Sequence, residues 1–294
     1  MARLFERIII VDWSAASTPG PSRPAPDRCW LAWGSARRSP PPEYFRTRRE
    51  AERRIAALAG AADGAVLIGF DFPFGYPAGS SLGGGPGFAA RLAGLIEDDA
   101  TGDNNRFAVA ARLNTEIGSP PGPFWGCPPA RATAALTVTK PRFAGRPFAE
   151  RRLAEQWLRP RQIMTTWQLL GRGAVGGQVL LGLPALHRLA SSPVFGSRVA
   201  IWPFQTGWDA DLAGIVIAEI WPSLCDHAAQ PFPVKDARQV AATRDWALAA
   251  DGAGRLRAAL ARPQSLSARD AAICESEEGW IVGAEQALAA GKLA

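Results

Sequence analysis

Three short apolar runs recur along the chain, and each ends at or beside a carboxylate. They are IIIV at 8–11, AVLIGF at 65–70 and IVIAEI at 215–220. Runs of this length are too short for a stable helix, and their β-branched side chains favour extended backbone. The pattern therefore predicts three strands buried in a sheet.

Two further short strands are predicted between the first two runs. Residues 29–34 (CWLAWG) and 43–47 have strand composition, and the prolines at 40–42 favour a turn between them. These strands would form an antiparallel ribbon that follows the first strand.

A helix is predicted directly after this ribbon. Thr47 and Glu50 have the spacing of a capping box, in which the hydroxyl and the carboxylate bond free amides at a helix start. The helix is expected to end near residue 59 and to bury one face. The residues predicted for that face are Ala51, Ile55 and Leu58. Further helices are predicted over 236–250 and from about residue 267 onward.

The middle of the chain, 76–199, breaks the strand pattern with clusters of Gly and Pro and with short helical stretches. This composition predicts a large, mostly helical insertion between the fourth and fifth strands. The whole chain is then a single α/β domain, with a core of about 1–75 and 200–294.

Composition narrows the class of protein. The chain has 294 residues, 47% of them hydrophobic and 20% charged, which is typical of a globular protein. No apolar stretch is long enough to span a membrane, and the N-terminus carries charges where a secretory signal is apolar, so we expect a cytoplasmic protein with no membrane partner. The four cysteines form no CxxC pair, which argues against zinc ribbons and thioredoxin-like redox sites. Nothing in the sequence indicates an oligomeric state.

Asp12, Asp71 and Glu219 lie at the ends of the three apolar runs. Ligands of α/β sheets bind at the carboxyl ends of parallel strands, where these side chains would meet. Converging carboxylates repel each other unless a cation lies between them, and with two histidines in the chain a hard ion is favoured, Mg²⁺ or Mn²⁺. The alternative is that each acid separately caps a helix or stabilises a turn.

The net charge of +6 is unevenly distributed. Residues 131–190 hold ten Lys or Arg against two acids, Glu150 and Glu155, which favours a polyanionic partner such as nucleic acid. Arg151, Arg152 and Arg159 can share one helical face and are the predicted substrate contacts in this segment. The alternative is an arginine-rich composition without a partner, since the chain has only three lysines.

The order of strand with Asp, β-ribbon, helix and second strand with Asp resembles the ribonuclease H-like superfamily, which includes Holliday junction resolvases, transposases and integrases. Within it, the chain is similar to a family of predicted nucleases of ribonuclease H fold over about 1–75 and 200–294. The matching residues are VDWSA at 11–15, GFDFPFG at 69–75, AEIWP at 218–222, VKD at 234–236 and RDAA at 269–272.

This resemblance implies a ribonuclease H-like mixed sheet with flanking helices and two magnesium ions. Acids on the first strand, at a later strand end and on the last helix would hold the ions, which here implies Asp12, Asp71 and Asp270. Glu219 and Asp236 are further candidate ligands from the nearer family's pattern.

The candidates on the helices also have structural explanations. Resolvases carry two aspartates three residues apart on the last helix, whereas this chain has Ser267 at the earlier position. Ser267 and Asp270 also fit a capping box. Lys235, a candidate substrate contact, and Asp236 also fit a plain helix start.

The expected function is therefore a nuclease that hydrolyses phosphodiester bonds by a two-metal mechanism, with Asp12, Asp71 and Glu219 as the central acids. A second expectation is a catalytically inactive module of the same fold that binds a nucleotide or small molecule. A third is an actin-like or sugar-kinase-like phosphotransferase, which the Pro-rich loop at 19–26 fits poorly.

Overall fold

A mixed sheet forms the centre of the computed structural model, which describes residues 3–118, 120–208 and 212–293. Within these ranges the sheet has six strands in the order β3-β2-β1-β4-β6-β5. The strands are β1 (Arg7–Asp12), β2 (Cys29–Gly34), β3 (Glu43–Phe45), β4 (Val66–Phe70), β5 (Val199–Ile201) and β6 (Ile215–Glu219).

The pairing of the strands divides the sheet into two parts. β1, β2 and β3 pair antiparallel, which confirms the predicted ribbon. β1, β4, β6 and β5 pair parallel to one another. This is an α/β fold with a ribonuclease H-like strand order.

The edge strand β5 was not predicted from the sequence. It has only three residues, and two of them are half-buried, so it is shorter and less buried than β1, β4 and β6. Its parallel pairing with β6 extends the sheet beyond the strands that the sequence indicates.

Helices cover both faces of the sheet. No helix in the described ranges is long and apolar enough to cross a membrane. The helices are α1 (Arg48–Gly60), α2 (Gly85–Ala93), α3 (Arg106–Ile117), α4 (Leu153–Trp157), α5 (Gly176–Ala190), α6 (Lys235–Gly252), α7 (Leu256–Leu260), α8 (Ala268–Ile273) and α9 (Ala284–Ala290).

The predicted capping box at the start of α1 is confirmed. The Glu50 amide donates to Thr47 Oγ1, and the Glu50 carboxylate accepts from the Thr47 amide, both at 3.3 Å. The apolar face is also confirmed, because Ala51, Ile55 and Leu58 are buried.

Successive side chains along each strand point to opposite faces of the sheet, and each face has its own hydrophobic core. One core lies under α1, α2 and α5, and the other lies under α6. The strand residues of the first core include Ile9, Val11, Ile68, Phe70 and Ile217. Those of the second core include Ile8, Ile10, Leu67, Val216 and Ala218.

Most buried apolar residues of the segment 76–199 belong to the first core, whereas Ala154, Leu158 and Ile163 belong to the second. Val179, Leu183 and Leu186 of α5 are buried in the first core together with the strand residues. At Gly182 a Cβ would lie only 2.3 Å from the Phe72 ring, so the close approach of α5 to the chain after β4 requires glycine there. The segment therefore completes the covering of the sheet.

The expectation that this segment is mostly helical is wrong. Its α-helices, α2 to α5, have 9, 12, 5 and 15 residues, and the greater part of the segment is turns and coil. Proline and glycine clusters cause this, because proline removes a helical amide donor and glycine loses the most backbone entropy in a helix.

Candidate active site

Asp12 and Asp71 lie side by side at the carboxyl ends of β1 and β4. Val11 pairs with Phe70 in the parallel register, and the Asp71 amide donates to Val11 O at 3.2 Å, so the two aspartates continue the ladder by one position. Their side chains therefore leave the sheet on the same face. A hydrogen bond joins the two carboxyl groups, and the Trp13 amide donates to Asp71 Oδ1 at 2.7 Å.

The electrostatics of this pair favour one shared proton. Burial raises the pKa of Asp12 well above its usual value, and repulsion from Asp71 and Asp236 raises it further. Burial also raises the pKa of Asp71 to about 6, although hydrogen bonds from Asp12 and from the Trp13 amide work against this rise. Two carboxyl groups in contact cannot both ionise easily, so the protonated Asp12 donates to Asp71.

A third carboxylate, on α6, lies near Asp12 and Asp71. This helix packs on the face of the sheet that carries Asp12, and Asp236 lies in its first turn. Asp236 Oδ2 accepts a hydrogen bond of 2.8 Å from the Asp27 amide. Burial is the main cause that raises the pKa of Asp236. The N-terminus of α6 thus lies at the carboxyl ends of β1 and β4.

The three carboxylates border an open cleft of about 500 Å³. The loop after β1, the segment before α5 and the first turn of α6 form its walls. Its acidic residues are Asp12, Asp27, Asp71 and Asp236. Its basic residues are Arg28, Arg106 and Lys235, so the predicted contact Lys235 does lie beside the acids.

Glu219 does not border this cleft, because the register turns its side chain the other way. Glu219 pairs with Phe70, one position before Asp71, and its side chain therefore leaves the opposite face of the sheet. Both carboxylate oxygens accept from Arg152, at 2.7 and 2.8 Å, and the Phe74 amide donates to Oε2. Glu219 and Asp71 both border a smaller cavity of about 200 Å³ beside Trp221.

The prediction that Arg152 contacts substrate is wrong. Its side chain is 0% exposed, and its guanidinium donates to Glu155, Glu219 and the Glu278 carbonyl. The cation is needed inside the protein, since burying carboxylates without a partner is strongly unfavourable.

Arg151 and Arg159 do not share a helical face with Arg152. α4 begins only at Leu153 and has five residues, so both arginines lie outside it. Arg151 Nη1 donates to the Ile163 carbonyl at 2.6 Å, and Arg159 is exposed in a 3₁₀ turn. Neither residue borders the cleft.

Asp270 is not brought to the cleft. The Ser267 hydroxyl donates to Asp270 Oδ2 at 2.8 Å, and the Asp270 amide donates to Ser267 Oγ at 3.1 Å. This geometry is the helix cap that the sequence offered as the alternative for this pair. The structure therefore separates the acid of α8 from the acids of β1, β4 and α6.

Two aromatic residues of the segment 76–199 are core residues. Phe124 and Trp167 are 0% exposed and pack with Tyr76. Several cations of the basic segment also bind within the protein, including Lys140 to Glu150 and Arg188 to Glu52. Phe124 and Trp167 are therefore not accessible for stacking on bases.

The donor set of the cleft fits a hard divalent ion held by few protein ligands. Across residues 3–118, 120–208 and 212–293, no three His, Cys, Asp or Glu side chains are arranged to hold one ion as they stand. Mg²⁺ is commonly bound by one or two carboxylates, with water and substrate phosphate completing the octahedron. The Asp12–Asp71 pair, whose mutual repulsion an ion would relieve, meets that requirement.

Sequence reasoning missed two groups of the cleft. Asp27 lies after a Pro-rich loop and had no local signal. Arg106 and the segment before α5 also border the cleft, and the glycines of GRGAVGG at 171–177, which lead into the first turn of α5, are a signal that could have indicated it.

The chain matches no protein-family model, no curated protein and no solved structure. What the cleft can do therefore follows from its own side chains, which are two carboxyl groups in contact, a third acid on a helix N-terminus and a wall that carries cations.

Proposed function

We propose that this protein is a metal-dependent hydrolase of phosphodiester bonds and that Asp12 and Asp71 bind its Mg²⁺ or Mn²⁺. The observation that carries the proposal is the hydrogen-bonded carboxyl pair at the floor of an open cleft. Such a pair is unfavourable for folding, because burial and mutual repulsion oppose its ionisation, and perturbed groups of this kind cluster at functional sites.

Asp236 is the third acid of the proposed site. Its side chain belongs to the same cleft, and its charge acts on Asp12. In the two-metal form of the proposal, Asp12, Asp71 and Asp236 would hold the ions. A bound divalent ion lowers the pKa of water and stabilises charge on the phosphate oxygens.

The fold supports the same proposal. We propose that the chain is a ribonuclease H-like domain, because the sheet order, the first-strand aspartate and the neighbouring parallel strand with its aspartate agree with that superfamily. The acid from a helix is Asp236 of α6 in this proposal, in place of Asp270.

Nucleic acid is the proposed partner. Lys235 is exposed at the edge of the cleft, next to Asp236 in the chain, and Arg28 borders the same cleft from the loop after β1. The chain as a whole carries a net charge of +6. Cations beside an acidic centre suit a polyanion whose backbone must approach a metal ion.

Cleavage of defined substrates tests this proposal. Single-stranded, duplex, hybrid and junction oligonucleotides are incubated with Mg²⁺ or Mn²⁺ and the wild type, Asp12→Asn or Asp270→Asn. We expect cleavage by the wild type and by Asp270→Asn, and loss of at least about 100-fold with Asp12→Asn. Equal cleavage by the wild type and Asp12→Asn would overturn the proposal.

A second candidate is a binding module of the same fold without catalysis. The observation that favours it is that no three carboxylates of the described residues stand ready to hold one ion. Nucleotide binding by the wild type with no cleavage of any of the four substrates, with either metal, would support this candidate.

A further inference from the structure

The N-terminus of α5 forms one wall of the cleft. Gly173, Ala174 and Val175 border the cleft directly before the helix, and Gln178 borders it from the first turn. The N-cap residue, Val175, makes no side-chain cap, and of the first-turn amides Gly176 donates to the Gln168 carbonyl at 2.8 Å, whereas those of Gly177 and Gln178 have no acceptor among the described residues. The amides of Gly177 and Gln178 and the helix dipole make the wall favourable for an anion.

Arg106 lies beneath this wall. Its side chain is 6% exposed and borders the cleft. Nη1 donates to Ser17 Oγ and to Asn104 Oδ1, both at 2.8 Å, whereas the buried Nε has no acceptor among the described residues. A buried donor without an acceptor is costly, so this one indicates an absent partner.

The arginine and the helix start lie together and close to the acids. A Cβ placed on Gly177 would lie 3.5 Å from Arg106 Nε, so the guanidinium is next to the first turn of α5. From the same turn, Gln178 Nε2 donates to the Trp13 carbonyl. Trp13 directly follows Asp12, so the wall and the carboxyl pair border one another.

Arg106 also lacks a charge partner. It forms no ion pair among the residues that the structure describes, and the nearby Asp98 is paired with Arg48. Burial is the largest cause that lowers the pKa of Arg106 to about 10, and repulsion from Arg48 contributes. The guanidinium is still charged at neutral pH, and a bound anion would offset that buried charge.

We infer that Arg106 and the first turn of α5 form an anion subsite that binds a phosphate group of the substrate beside Asp12 and Asp71. The subsite would position the phosphate by charge and by hydrogen bonds from Nε and the free amides. Its assignment to the substrate rests on the proposed function, whereas anion binding itself does not require the metal.

Titration with inorganic phosphate, without metal, tests the subsite. Binding is measured by calorimetry on the wild type, on Arg106→Gln and, as a matched control, on Arg159→Gln, which removes an exposed arginine outside the cleft. We expect phosphate affinity to fall at least about tenfold in Arg106→Gln and to be unchanged in Arg159→Gln. Equal affinity in all three proteins, or no phosphate binding by the wild type, would overturn the inference.

A second variant tests the subsite independently, in case Arg106→Gln does not fold. Val175→Asp places an acceptor and a negative charge at the N-cap of α5, which stabilises a helix start while it repels an anion. We expect weaker phosphate binding with a thermal midpoint no lower than that of the wild type. Phosphate binding as tight as in the wild type would contradict the inference.

The two proposals fail separately. Magnesium binding is measured on Arg106→Gln, and phosphate binding on Asp12→Asn. Lost phosphate binding with retained magnesium binding in Arg106→Gln supports the subsite, even if no oligonucleotide is cleaved. Loss of phosphate binding in Asp12→Asn alone, with Arg106→Gln unaffected, would place the anion on the carboxylate side and overturn it.

Discussion

The carboxyl groups of Asp12 and Asp71 are hydrogen-bonded to each other, one position beyond the last paired residues of β1 and β4. Parallel pairing of two strands that both end in aspartate places two acids in contact at the floor of a cleft. The arrangement opposes folding in the absence of a cation, and this property can be measured without knowing the substrate.

Asp71→Asn should change how the stability of the metal-free protein depends on pH. Because the pKa of Asp71 rises from 3.8 to about 6 on folding, the folded wild type binds more protons in this window and loses stability as pH increases through it. Asp71→Asn does not lose stability in this way, and its side-chain oxygen still accepts from the Trp13 amide. We expect it to be more stable by about 1 kcal/mol at pH 7, which corresponds to about 2–4 °C.

Thermal midpoints from pH 4 to 7.5 check this. The gap between the two proteins should widen up to about pH 6 and then stay constant. Added Mg²⁺ should raise the midpoint of the wild type and leave that of Asp71→Asn nearly unchanged. A difference between the two thermal midpoints that stays the same from pH 4 to 7.5 would show that Asp12 and Asp71 do not repel each other.

Arg152→Met should destabilise the protein strongly. The variant leaves Glu155 and Glu219 buried without a cation, and breaking a buried ion pair in this way costs about 3–5 kcal/mol. Urea unfolding measures the effect. The exposed control Arg159→Met should change the free energy of unfolding by less than about 0.5 kcal/mol, and a similar small change in Arg152→Met would contradict the structural role.

Glu219→Gln should leave metal binding intact. Both oxygens of Glu219 accept from Arg152, and the side chain lies on the face of the sheet opposite Asp12. Calorimetry should give a magnesium affinity within about twofold of the wild type, together with lower stability. A large loss of affinity would show that Glu219 is a ligand after all.

Asp236→Asn and Asp270→Asn should separate the two helix acids. Asp236 borders the cleft from α6, whereas Asp270 caps α8 with Ser267. We expect weaker magnesium binding and slower cleavage in Asp236→Asn alone. Weaker magnesium binding and slower cleavage in Asp270→Asn alone would instead assign the helix ligand to Asp270 of α8.

Lys235→Gln should weaken nucleic acid binding. Lys235 is exposed at the cleft, while Arg159 is exposed away from it. If Lys235 contacts one phosphate, its removal should reduce the slope of log affinity against log salt by about 1. Fluorescence anisotropy at several salt concentrations measures the slopes. An unchanged slope in Lys235→Gln together with a reduced slope in Arg159→Gln would contradict a phosphate contact at Lys235.

Local patterns determine much of the fold. The apolar runs of β1, β4 and β6 and the capping box of α1 could be predicted because each signal lies within a few adjacent residues. The edge strand β5 could not, because it has only three residues and two of them are half-buried.

The candidate site was predictable only in part, because side-chain direction depends on register. Asp12 and Asp71 follow their strands at matching positions, whereas Glu219 lies one position earlier and faces the other core. Arg152 pairs with Glu219, 67 positions away, so the local spacing to Glu155 alone could not show that this arginine is buried.

Calorimetric titration of Mg²⁺ into the wild type and Asp12→Asn tests the central claim most directly, with Asp270→Asn as the matched carboxylate outside the cleft. We predict that the wild type and Asp270→Asn bind the ion and that Asp12→Asn does not. Binding of equal affinity in the wild type and Asp12→Asn, or no binding in the wild type, would contradict the assignment of the Asp12–Asp71 pair as a metal site.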